Sequence, residues 1–181
     1  NIDNDYKKER AKDELPQSAG GKTIMTTQPK FVPSQAVSIN VDNISMKVRL
    51  VDCVGYFVSG AMGHEEDNKP RLVKTPWSDE EMPFEEAAEI GTEKVIKEHS
   101  TIGIVVTTDG SIGDIPRSEY VEAEKTVIEE LNTVGKPYIV LLNSVHPMLP
   151  DTEALAGKLK EEYNVPVMPI SIEAMQERDM Y

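Results

Sequence analysis

The chain is 181 residues long, 39% apolar and 28% charged, and its 19 basic and 32 acidic side chains give a formal net charge of −13. That length fits one core without a second large domain, and a chain this acidic has no basic stripe to displace counterions from phosphates, which excludes nucleic acid as the expected partner. No apolar run approaches the ~20 residues of a bilayer-spanning helix. The stretch Asn1 to Gln17 is polar where a secretory signal is apolar, and the lone Cys53 and scattered His64, His99 and His146 offer neither a disulfide nor zinc-ligand spacing, so the expected compartment is the cytoplasm.

Residues 1–35 mix charge runs with Pro, Gly and Ser and show no sustained apolar face, which predicts a short fraying helix followed by an extended, switch-like loop ahead of an α/β core over 36–181. Ala36 to Val41 and Met46 to Asp52 alternate apolar and polar residues around the turn formers Asp42 and Asn43, the pattern of an antiparallel hairpin. Residues 55–83, with three glycines and three prolines, read as a long functional or mobile loop.

From Phe84 the pattern becomes regular. Phe84, Ala87, Ala88, Gly91 and Val95 share one face of a helix to His99, and Ile102 to Thr107 is a continuous apolar run of strand length. A helix over 118–134 stops at Gly135 and leads to a strand from Tyr138 to Leu142. Asp151 is the expected N-cap of a helix to Tyr163, before a last strand from Pro166 to Ile172. Three helix–strand rounds predict a three-layer α/β fold, a mostly parallel sheet with helices on both faces and the hairpin as its one antiparallel edge.

Open α/β sheets take ligands beyond the carboxyl ends of their strands, so the strand tails carry the functional candidates. The hairpin ends in Val51-Asp52-Cys53-Val54-Gly55, where a carboxylate suits Mg²⁺ and the glycine lets a backbone N–H approach a terminal phosphate. An Asp opening a tight turn is the plainer reading of the same letters. Gly20-Gly21-Lys22-Thr23 imitates a phosphate-binding P-loop, but it lacks the upstream glycine and leads to Pro29 and Pro33 instead of a helix. Its threonine-rich continuation to Thr26 and Thr27 fits a switch loop, in which a hydroxyl ligates Mg²⁺ and the backbone places the attacking water. The later tails are Thr108-Asp109-Gly110-Ser111, Asn143-Ser144-Val145-His146 and Ser171-Ile172-Glu173. Cys53 reads as an inert, partly buried thiol and Trp77 as an anchor for the long loop.

In that order the tails resemble the translation-factor-related branch of P-loop GTPases. The runs Asp13-Glu14-Leu15-Pro16-Gln17-Ser18, Gly21-Lys22-Thr23-Ile24-Met25-Thr26-Thr27, Leu50 to Tyr56, Thr75-Pro76-Trp77 and Glu86 to Thr92 further resemble the stage IV sporulation protein A family of endospore-forming bacteria, across essentially the whole chain. The resemblance implies a GTPase-like P-loop NTPase fold that hydrolyses ATP with Mg²⁺. It also implies self-assembly into the basement layer of the spore coat on the forespore surface, on the mother-cell side. A small amphipathic membrane peptide and other coat morphogenetic proteins are the implied partners besides the protein itself. Residue by residue it makes Asp52, Thr26 and Thr27 catalytic and metal-binding, and Gly55, Asn143, Ser144 and Ser171 nucleotide-binding.

Two departures qualify the match. Where a GTPase has Asn-Lys-x-Asp, this chain has Asn143-Ser144-Val145-His146, so guanine loses the carboxylate that reads it and ATP is expected to be preferred. The first strand and P-loop of the fold have no counterpart, so these 181 residues read as part of a longer protein and are expected to be inactive alone, with two neighbouring strand edges unpaired. A non-catalytic α/β interaction module and a GTP-dependent switch are the rival readings.

Overall fold

Period-two alternation draws Lys30–Val41 (β1) and Ile44–Asp52 (β2) into an antiparallel hairpin. The computed structural model describes residues 30–41, 43–61, 64–66, 69–75 and 78–175. β1 starts at Lys30, ahead of the expected Ala36, because Phe31 and Val32 pair with Val51 and Leu50 before the register shifts between Val32 and Val37. Pro33 lies inside that shift and has no N–H for the ladder, which is where a bulge is tolerated. The Arg49 guanidinium stacks 4.2 Å from the Phe31 ring centroid.

The expected long loop contains two small hairpins. Glu65–Glu66 (β3) pairs with Lys69–Pro70 (β4), and Leu72–Thr75 (β5) pairs with Ser78–Pro83 (β6). Trp77, expected to anchor this segment, lies outside the described residues. Phe84–Lys94 (α1) follows at once, its first residue buried beneath the Arg71 guanidinium. The expected single helix to His99 ends in a π-turn over Val95–His99, in which the Ser100 N–H reaches the Val95 carbonyl at 2.9 Å. Lys136 closes this end by donating to the carbonyls of Ile96, Lys97 and Ser100. One ammonium thereby satisfies three carbonyls that the helix cannot.

Gly103–Thr108 (β7), a 3₁₀ turn at Arg117–Tyr120, Val121–Val134 (α2), Tyr138–Asn143 (β8), Pro150–Tyr163 (α3) and Val167–Ile170 (β9) complete the order. α2 stops at Gly135, whose φ of 67° is the left-handed cap anticipated there. α3 is not capped by Asp151. Leu149 holds the cap position and Pro150 opens the helix, where its missing N–H would have been unpaired anyway.

β7, β8 and β9 form a parallel sheet in that spatial order, so the α/β class and the parallel sheet stand as anticipated. The hairpin is a separate two-stranded sheet, and among the described residues β2 pairs only with β1 and β7 only with β8. Ile128 and Leu131 of α2 pack with Ile96 on Val105, Tyr138 and Val140, while Ala156 and Leu159 of α3 pack on Leu142. By alternation these contacts lie on one face of the sheet. The other face carries Ile104 beside Ile139 and Val106 beside Leu141 and Met168, with Ile104 54% and Val106 57% exposed. The described residues thus supply the sheet and one helical layer, and the second layer expected from strands apolar on both faces is not among them. No described helix is long and apolar enough to cross a membrane.

Replacing Lys136 by Met should free three carbonyls at the end of α1 and lower stability by about 1–3 kcal/mol, read as a lower thermal midpoint against an unchanged Lys136→Arg variant.

Candidate functional site

Parallel register brings the strand tails together, since Thr108 is level with Asn143 and Asn143 with Ile170. Polar side chains then tie the tails to each other. Asp109 accepts from the Ser111 amide at 3.0 Å and from the Ser111 hydroxyl through one oxygen, and from the Thr152 hydroxyl at 2.9 Å through the other. The Ser111 hydroxyl accepts the Val145 N–H at 3.0 Å, and Asn143 Oδ1 accepts the Ile172 N–H at 3.0 Å. Ser144 is buried, its N–H bonded to the Ile170 carbonyl and its hydroxyl accepting from the His146 N–H. Partial burial pushes the Asp109 carboxyl up, but the hydroxyls of Ser111, Ser144 and Thr152 and the Ser111 amide together outweigh it and hold the carboxyl at about 2.

The β2 tail faces a cavity of about 430 Å³ that reaches across to β7. Val51–Gly55 lines one side, Ile104–Thr107 the other, with Thr92 of α1 and Glu124 of α2 between them. Asp52 is exposed at its mouth. Gly55 turns with φ of 84°, a backbone state suited to glycine, and gives its N–H to the Thr92 hydroxyl at 3.1 Å. Burial raises the Cys53 thiol against the lowering influence of that same hydroxyl, so the thiol is a poor nucleophile.

Glu124 is a buried carboxylate within this wall. Its Oε1 accepts from Arg117 Nη2 at 2.8 Å and from the Tyr163 hydroxyl at 2.6 Å, and Arg117 also donates to Thr107 at 3.2 Å. Its Oε2 is buried and accepts nothing among the described residues. The contact with Arg117 offsets part of the cost of burying this side chain.

Of the residues singled out in the sequence, Asp52 and Gly55 share the cavity, and Asn143, Ser144 and Ser171 lie on the neighbouring rim. Thr26 and Thr27 lie outside the described residues. Among the described residues no three metal-ligating side chains cluster. An exposed carboxylate at the cavity would fit Mg²⁺ at a triphosphate, which takes one or two carboxylates and fills its remaining positions with phosphate oxygens and water. Asp52 is a donor of that kind. Sequence reasoning missed Thr92, in the last turn of α1, and Glu124, in the first turn of α2, where no local motif marks them.

Fold and rim define an α/β domain whose polar strand tails gather at the carboxyl ends of its parallel strands, where open α/β sheets take ligands. The family model described as "Stage IV sporulation protein A, ATPase domain" matches residues 1–181. The chain is 60% identical over its full length to stage IV sporulation protein A of Bacillus anthracis. Over 99% of its length it is 61% identical to the Bacillus subtilis (strain 168) protein and 58% identical to that of Clostridioides difficile (strain 630). It belongs to the stage IV sporulation protein A ATPase-domain family. The chain spans 37% of the length of each of these relatives. No solved structure matches it.

Asp109 titrates lower in the fold than its ordinary 3.8, so its hydrogen bonds stabilise the fold above about pH 4 and are lost as pH falls toward about 2. Acid titration of the thermal midpoint should therefore show a steeper fall between pH 4 and 2 in the wild type than in Asp109→Asn.

Proposed function

We propose that the chain is part of an Mg²⁺-dependent ATP hydrolase whose nucleotide cycle drives self-assembly into the basement layer of the bacterial spore coat. The observation that carries this reading is the shared cavity of Asp52 and Gly55, an acid and a glycine amide three residues apart at the end of β2. Asp52 would hold a hydrated Mg²⁺, and the Gly55 N–H would donate to the terminal phosphate. Thr26 and Thr27 would supply a hydroxyl to the metal and orient the attacking water. Water adds to the terminal phosphorus, the bond to the bridging oxygen breaks, and ADP and inorganic phosphate leave. When bound, Mg²⁺ supplies the positive charge that neutralises the oxygens as the bond breaks.

The base reads against the rim of Asn143, Ser144 and Ser171. The loop from Ser144 to His146 has no carboxylate for the two N–H groups of guanine, and the adjacent rim carboxylate, Asp109, is already engaged by Ser111 and Thr152. Adenine leaves no such donor pair unmet, so ATP is the better-matched nucleotide. Among the described residues β2 and β7 each keep an edge without a paired strand, which supports a further strand between them, and a glycine-rich phosphate loop ending that strand would open beside Gly55. We place the full-length protein in the mother-cell cytoplasm at the forespore surface. Its partners there are other copies of itself, a small amphipathic membrane peptide and other coat morphogenetic proteins.

The bare face around Ile104 and Val106 favours a second reading, a non-catalytic interaction module. One experiment separates the two. In the full-length protein, Asp52→Asn should lower ATP turnover by about a hundredfold or more, and Thr26→Ala with Thr27→Ala should lower it too, while GTP turnover stays below that of ATP. Turnover unchanged by Asp52→Asn would leave only the interaction module.

A further inference from the structure

We infer that the Thr92 hydroxyl occupies the place of the terminal phosphate at the Gly55 amide, so that Thr92 sets how strongly the site distinguishes ATP from ADP. This inference rests on the nucleotide reading of the Asp52–Gly55 cavity. Gly55 and Thr92 are 37 residues apart in sequence, and nothing local requires them to meet. Thr92 is 2% exposed in α1, so its hydroxyl sits on a rigid element, whereas Gly55 belongs to a strand tail with open space where a Cβ would be. The movable partner is therefore the tail.

A backbone amide has a single proton to give. While it is directed to Thr92 at 3.1 Å, it is not fully available to a phosphate oxygen. A nucleotide carrying a terminal phosphate must exchange the Thr92 bond for its own, and the charged acceptor makes the stronger bond. A nucleotide lacking that phosphate leaves the Thr92 bond in place. The exchange also frees the residue 52–55 tail from α1, so the state of the nucleotide is transmitted to a helix whose Val95 and Ile96 pack at the cavity and core. Thr92 touches no nucleotide in this scheme. It is a positioning residue acting through Gly55.

The test measures dissociation constants of the full-length protein for Mg²⁺ with a non-hydrolysable ATP analogue, and for Mg²⁺ with ADP, in the wild type, Thr92→Val, Thr92→Ala and Thr92→Ser. Valine keeps the shape and branching of threonine without the hydroxyl. It should tighten the ATP analogue by about fivefold, the worth of one neutral hydrogen bond, and leave ADP unchanged. Thr92→Ala should show the same selective gain if valine impairs folding, and Thr92→Ser should keep the wild-type ratio. A loss of core packing alone would move both nucleotides together. An unchanged ratio in Thr92→Val and Thr92→Ala, or weaker ATP binding, would overturn the inference while the nucleotide reading stands. A wild-type protein that binds neither nucleotide would overturn both.

Discussion

Parallel register of β7, β8 and β9 is the constraint on which the rest depends. Because Thr108, Asn143 and Ile170 are level across the sheet, three polar tails far apart in the sequence leave it at one rim. The central strand fixes that register: Val140 and Leu142 are fully buried, and each such side chain contributes roughly 1.5–3 kcal/mol on removal from water. A slip by one residue would turn both to the bare face and carry the rim polar groups away from their partners. The bonds among Asp109, Ser111, Asn143, Ser144 and Thr152 are a consequence of that alignment, and they turn three loops into one surface.

α1 joins this sheet to the hairpin. Its buried residues run from Phe84 to Thr92, its π-turn places Ile96 in the core under α2, and Lys136 binds its last carbonyls. Thr92, on the same helix, holds the Gly55 amide of the β2 tail. Across the cavity, Arg117 and Glu124 link β7 to α2, and Tyr163 adds the end of α3. Both walls of the cavity are thus anchored to elements that also make the core. The β2 tail is tied to α1 by the Gly55–Thr92 bond, and the turn ending α1 packs Ile96 into the sheet's core.

Much of this was legible in the sequence where apolar periodicity is strong. The run from Phe84 onward gave helices and strands near their observed bounds, because Ile, Val and Leu at helical or strand spacing leave few alternatives. Ser78–Pro83 was not legible as a strand: Ser-Asp-Glu-Glu-Met-Pro has no alternating apolar face, and its pairing with β5 decides its shape. β1 was read too short because Pro29 and Pro33 mask the pairing of Phe31 and Val32. Asp52 and Gly55 were visible as an acid and a glycine ending a strand. Thr92 and Glu124 were not, since a threonine or glutamate inside an amphipathic helix is ordinarily solvent-facing or structural, and their roles arise from partners 37 and 39 residues away. Strands apolar on both faces correctly implied a parallel sheet, but composition does not say which chain segment covers each face.

The proposed nucleotide site holds one triphosphate between the β2 tail and the rim of the parallel sheet. Amide hydrogen exchange of the full-length protein, with and without Mg²⁺ and a non-hydrolysable ATP analogue, tests it most directly. Exchange should slow at residues 51–56 and at the tails around 143–146 and 171–173. Slowing elsewhere with those three segments unchanged would contradict that site.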